Sequence, residues 1–136
     1  MIRRPPRSTL DRSSAASDVY KRQFQRFLYT LQLVPDSTGQ LLEIGANPYF
    51  MTLLLRRFRR YELHMTNYFG VDFEGAITQT IVNQTDRLIM DFANVNIERD
   101  TLPFDDQTFD VVLLCEVLEH FTNDPAKALL LSLIHI

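Results

Sequence analysis

The stretch that most restricts the fold is Leu41-Leu42-Glu43-Ile44-Gly45-Ala46-Asn47-Pro48-Tyr49-Phe50, an apolar run that stops at a glycine and resumes with helical periodicity. That pattern describes a buried strand, a tight turn, and a helix whose first N–H groups face back toward the turn. A polar or anionic ligand suits such a position. Gly45 allows a backbone conformation and a closeness of approach that a side chain would deny. Asn47 tolerates the left-handed region and is placed to cap the helix, with Pro48 suited to its first turn. A strand-glycine-helix turn also serves packing alone in many α/β proteins, so a structural role stays open beside the binding one.

The second informative stretch is Leu102-Pro103-Phe104-Asp105-Asp106-Gln107-Thr108-Phe109-Asp110-Val111-Val112-Leu113-Leu114-Cys115-Glu116-Val117-Leu118-Glu119-His120. Together, LLEIGANP and LPFDDQTFDVVLLCEVLEH resemble the class I S-adenosylmethionine-dependent methyltransferases. The first is similar to that family's glycine-rich motif; the second is similar to its Leu-Pro-Phe turn and the FD-x-V strand that ends in Glu-x-x-Glu-His. The resemblance implies an α/β, Rossmann-like, three-layer αβα fold with strands ordered 3-2-1-4. It also implies a chain that stops after about the fourth strand, so that the parent protein is the enzyme and this stretch alone is inactive.

The cofactor implied is S-adenosylmethionine. On the family's pattern, Glu43 would meet the positively charged amino end of the cofactor, and Gly45, Ala46 and Asn47 would form the turn around it. Asn67 stands nearest the place where an acidic residue usually accepts bonds from the ribose hydroxyls; Asp72 is the competing candidate. Asn96 and Ile97 would lie beside the adenine, and Glu116 would sit at the carboxyl end of the fourth strand. A polar strand end explains Asn96 equally well. Of the usual three glycines only Gly45 remains, and a bulky Tyr49 is expected to narrow the turn.

Methyl transfer from a sulfonium needs mainly proximity and alignment, so no metal and no catalytic side chain is assigned. His120 reads first as a residue that orients a loop. A small-molecule acceptor is expected, although a metabolite, a lipid quinone, a sugar or a protein would all be compatible with these motifs. A nicotinamide-dependent oxidoreductase or epimerase would also need a strand-Gly-helix turn, but with G-x-G-x-x-G and an acidic residue about 20 positions on. A non-catalytic scaffold of the same fold is the third possibility.

Along the rest of the chain, Phe24, Phe27, Leu28 and Leu31 share one helical face that should end before Pro35. Asp36 to Gly39 reads as a turn and Gln40 to Ile44 as the first strand. A helix is predicted from Pro48 to about Arg60 with Phe50, Leu53, Leu54 and Phe58 inward, and its arginines form a solvated C-terminal face. Tyr61 to Thr66 is the second strand. Residues 76–82 and 87–92 predict an antiparallel hairpin where the family tends to place a helix. Phe109 to Cys115 predicts a strand buried on both faces, with Cys115 a buried thiol, and Asp124 should cap a final helix.

Residues 1–23 and 131–136 resemble translated sequencing-adapter sequence, with the first expected to lack regular structure and His135 given no role. The domain proper is then about 24–130. Of the chain's 14 Lys/Arg and 17 Asp/Glu, residues 1–23 hold six and two, which leaves eight and fifteen, a net charge of −7. An acidic body argues against a nucleic-acid partner. No run of 18 apolar residues occurs, so no membrane partner and a cytoplasmic setting are expected.

Overall fold

The computed structural model describes residues 9–70, 76–82 and 87–136, and the chain divides into two compact units, Met1–Pro35 and Asp36–Ile136. The first contains helix α1, Thr9–Leu33, which stops ahead of Pro35 as its periodicity requires. It begins well before Phe24, so the segment expected to lack regular structure is helical from Thr9. Thr9 to Gln23 holds neither Pro nor Gly, so no residue in it breaks a helix.

The second unit is built on a mixed five-stranded sheet. Its strands are β1 (Thr38–Ile44), β2 (Arg60–Asn67), β3 (Ala76–Val82), β4 (Arg87–Asn94) and β5 (Val111–Leu113), in the spatial order β3-β4-β2-β1-β5. β1 is parallel to both β2 and β5, and β2 is parallel to β4 through Thr66↔Ala93 and Asn67↔Asn94. The parallel strands thus follow the 3-2-1-4 order that the resemblance implies. β3 adds the predicted hairpin, antiparallel to β4 from Ala76↔Ala93 to Val82↔Arg87.

Alternation along β1 divides its side chains between two layers. Leu42 and Ile44 pack with Val95, Ile97, Leu102, Phe109 and Ala128, the last from helix α3 (Pro125–His135). Glu43 faces the other way, toward helix α2 (Phe50–Phe58), where Thr52 meets it. A sheet with helices on both faces results, and complete burial of a leucine such as Leu41 or Leu42 contributes about 2 kcal/mol.

Several local expectations need correction. α2 begins at Phe50, not Pro48, and its buried residues are Met51, Thr52 and Leu55, whereas Phe50 and Phe58 are more than half exposed. Contact between Thr52 and Glu43 rotates the helix away from the face that apolar periodicity selected. Thr38 and Gly39 belong to β1 and not to a turn. β5 is three residues long and half-buried, because it lies at the sheet's edge with one neighbour; Cys115, just beyond it, is likewise half-buried.

Asp124 caps α3 as expected, accepting from the Ala126 N–H at 2.9 Å. α3 runs through Leu131 to His135, and the His135 ring is buried with Nδ1 3.0 Å from the Asp105 carbonyl. Among the described residues, no helix is long and apolar enough to cross a membrane.

Candidate functional site

Because β1, β2, β4 and β5 are parallel, their carboxyl ends share one edge of the sheet, where ligands of open α/β sheets collect. Glu43, Gly45, Ala46 and Asn47 arrive there on β1, Asn67 on β2, Asn96 just past β4, and Glu116 just past β5. The eight candidates therefore come from four neighbouring strand ends, although Ile97 turns into the core.

At β1 the chain turns through Gly45 at φ 72°, and a Cβ on this residue would stand 2.5 Å from Val117 Cγ2. Glycine is needed here for both reasons. Three successive N–H groups then turn back onto β2. Gly45 and Ala46 donate to the Thr66 carbonyl at 2.8 and 3.2 Å, and Asn47 donates to Asn67 Oδ1 at 2.8 Å.

Asn47 does not cap α2. The cap position is Tyr49, at φ 71°, and no side chain bonds there. Tyr49 does not narrow the turn either; its ring is buried with Ala46, Met65, Met90 and Phe92. The Tyr49 hydroxyl accepts from Asn67 Nδ2 at 3.1 Å and donates to Gln79 Oε1 on β3. Burial holds its pKa above the usual 10.0, opposed by the Asn67 bond and reinforced by the charge on Glu43.

Glu43 is 3% exposed, and its carboxylate accepts from Thr52 Oγ1 at 2.5 Å. Burial lifts its pKa from 4.5 to about 7, against the pull of the Thr52 bond. A carboxyl poised between its two forms lies beneath the glycine turn. Thr52 escaped the sequence reading, because counting apolar residues gave α2 a different inward face.

On the far side of β2, Val95 N–H bonds the Asn67 carbonyl at 2.9 Å and carries the chain past β4. Asn96 is half-buried, and its Oδ1 accepts from Glu98 N–H at 3.1 Å. Ile97 is 6% exposed within the Leu42 cluster, so its side chain is committed to the core beneath that edge. Glu116 is exposed at φ 56°, and Glu119 and His120 are exposed in a single 3₁₀ turn, Leu118–His120. Asp72 lies outside the described residues.

Glu98, which the sequence did not single out, fastens the loop after β5. Its Oε1 accepts from the N–H groups of Thr122 and Asn123 at 2.9 and 2.8 Å. Glu98→Ala should cost about 1 kcal/mol, since water can replace much of an exposed bond, while hydrogen exchange at Thr122 and Asn123 rises about tenfold. Unchanged exchange at both amides would show that the loop is held by other contacts. Among the described residues no group of three or more His, Cys, Asp or Glu side chains is placed to hold a metal.

A family of sequences described as a methyltransferase domain matches residues 42–130, which runs from the end of β1 into α3 and includes every site candidate. The chain belongs to this methyltransferase family. No curated protein and no solved structure matches it. Members of the family use S-adenosylmethionine as the methyl donor, so the class I resemblance and its cofactor are borne out. In this methyltransferase domain the N–H groups of Gly45, Ala46 and Asn47, which would otherwise line the turn for a phosphate, are already bonded to β2. A sulfonium nucleoside carries no phosphate and brings positive charge, which suits the buried Glu43 carboxyl beside the turn.

Proposed function

We propose that this methyltransferase domain binds S-adenosylmethionine across the carboxyl ends of β1, β2, β4 and β5 and transfers its methyl group to a small-molecule acceptor. The observation that carries the reading is the pairing of a buried Glu43 carboxyl with a glycine turn whose three leading N–H groups are all occupied. That turn favours a cationic, phosphate-free ligand over a dinucleotide.

In this reading Glu43 faces the ammonium end of the ligand, and Gly45, Ala46 and Asn47 supply the close backbone surface along it. Asn96, whose N–H donates to Asp100 Oδ2 and whose carbonyl accepts from Arg99 and Asp100, turns its carboxamide Nδ2 to the adenine edge; Ile97 supports that loop from below, and Glu116 borders the reacting end. The cofactor, when bound, supplies an activated methyl group. The chain's own contribution is to bind, align and exclude water, which accounts for the absence of an assigned nucleophile. A net charge of −7 outside residues 1–23 supports a small acceptor over nucleic acid.

Calorimetric titration at neutral pH separates this reading from the dinucleotide one. S-adenosylmethionine and S-adenosylhomocysteine should each give a saturable one-to-one isotherm, and NAD should give none. Saturation by NAD alone would assign the edge to an oxidoreductase, and silence from all three would leave a scaffold.

A further inference from the structure

The hydrogen-bond directions around the β2 end assign Asn67 a task different from the one its position suggests. The Thr66 carbonyl already receives two N–H groups from Gly45 and Ala46, and the Asn67 carbonyl receives Val95. The next donor in the turn, Asn47 N–H, is taken by Asn67 Oδ1. With the oxygen so placed, Nδ2 must face the Tyr49 hydroxyl, which accepts from it and donates its own hydrogen bond to Gln79 Oε1. Reversing the amide would set two donors against each other at Asn47. The side chain is 4% exposed, and its orientation is fixed at both ends.

We infer that Asn67 is a positioning residue of the cofactor site: backed by Tyr49 and Gln79, its carboxamide holds the glycine turn against β2 and does not bind the ribose hydroxyls. The inference rests on the cofactor reading above and refines it. It also explains why an amide stands where an acid is usual. A carboxylate can accept from Asn47 but has no N–H to offer Tyr49, so the hydroxyl would have to turn away from Gln79. The β3–β4 hairpin, through Gln79, becomes part of the device that shapes the turn.

Affinity for S-adenosylhomocysteine and for its 2′-deoxy and 3′-deoxy analogues tests this in the wild type, Asn67→Ala, Asn67→Asp and Tyr49→Phe. Tyr49→Phe should weaken binding about tenfold although its hydroxyl meets no ligand, and Asn67→Asp, which keeps the acceptor for Asn47 but loses the N–H for Tyr49, should weaken it by a similar factor, whereas a ribose-binding role would leave the aspartate variant as tight as the wild type or tighter. Removing either ribose hydroxyl should cost the same factor in every variant. A hydroxyl penalty that disappears in Asn67→Ala would place the amide on the ribose and overturn the inference.

A second arm needs no ligand. Amide exchange at Asn47 should accelerate about tenfold or more in Tyr49→Phe and in Asn67→Ala, and less in Gln79→Ala, whose partner can be solvated. Unchanged exchange at Asn47 in Tyr49→Phe would also overturn it. If the wild type binds no S-adenosylhomocysteine, the cofactor reading fails by itself, and the exchange result still decides whether the brace exists.

Discussion

Gly45→Ala should lower stability by about 2–5 kcal/mol, a large share of what a small domain possesses. Two costs combine. The residue sits at φ 72°, where an L side chain is strained, and the new Cβ would lie 2.5 Å from Val117 Cγ2. Val117 follows β5, so relieving the overlap moves the β5 end away from the β1 turn and opens the edge where the candidate residues meet. Urea unfolding of Gly45→Ala, Val117→Ala and the double variant separates the contributions. Val117→Ala should restore part of the loss by removing the overlapping methyl, and the backbone share should persist. A Gly45→Ala protein as stable as the wild type would remove the structural basis for the turn described here.

The second large effect is a pH dependence centred on Glu43. Its folded pKa of about 7 lies above the ordinary 4.5. Between those values the folded state binds more protons than the unfolded one, so stability is greatest below the unfolded value and declines as pH rises to about 7. A shift of that size corresponds to about 3 kcal/mol across the window. Glu43→Gln keeps an oxygen for the Thr52 hydroxyl and removes the charge, so its stability should not decline through this range and should exceed the wild type's at pH 8. Ligand affinity should follow the opposite course. A cationic ligand selects the ionised carboxyl, so wild-type affinity for S-adenosylmethionine should fall up to about tenfold per unit below pH 7, with proton release on binding. In Glu43→Gln the affinity should be weak and independent of pH. Parallel pH profiles in the two proteins would show that Glu43 does not face the ligand.

Patterns set by neighbours in sequence were legible. The apolar run into Gly45, the β-branched residues of 76–82, and Asp-Pro ahead of α3 each specify their element through local physics. The motif resemblance supplied the order of the parallel strands, which periodicity alone does not contain. What escaped depends on contacts across the fold. The inward face of α2 is set by Thr52 meeting Glu43, nine residues earlier, and counting apolar residues chose Phe50 and Phe58 instead. Tyr49 looked obstructive because its size was visible, whereas its direction into the Met65, Met90 and Phe92 cluster was not. Asn67 was placed correctly at the β2 end, but its amide is engaged by the Asn47 N–H, which donates to it, and by the Tyr49 hydroxyl, which accepts from it and donates in turn to Gln79 in a hairpin twelve residues farther along. A single sequence does not display such convergence.

The proposed site for a sulfonium nucleoside lies at the strand ends around Gly45. Amide chemical-shift mapping with S-adenosylhomocysteine tests it most directly. Saturable shifts should be concentrated at Glu43, Gly45, Ala46, Asn96 and Glu116, with NAD producing none there. Shifts confined to other parts of the sheet, or the same residues responding to NAD and not to S-adenosylhomocysteine, would contradict it.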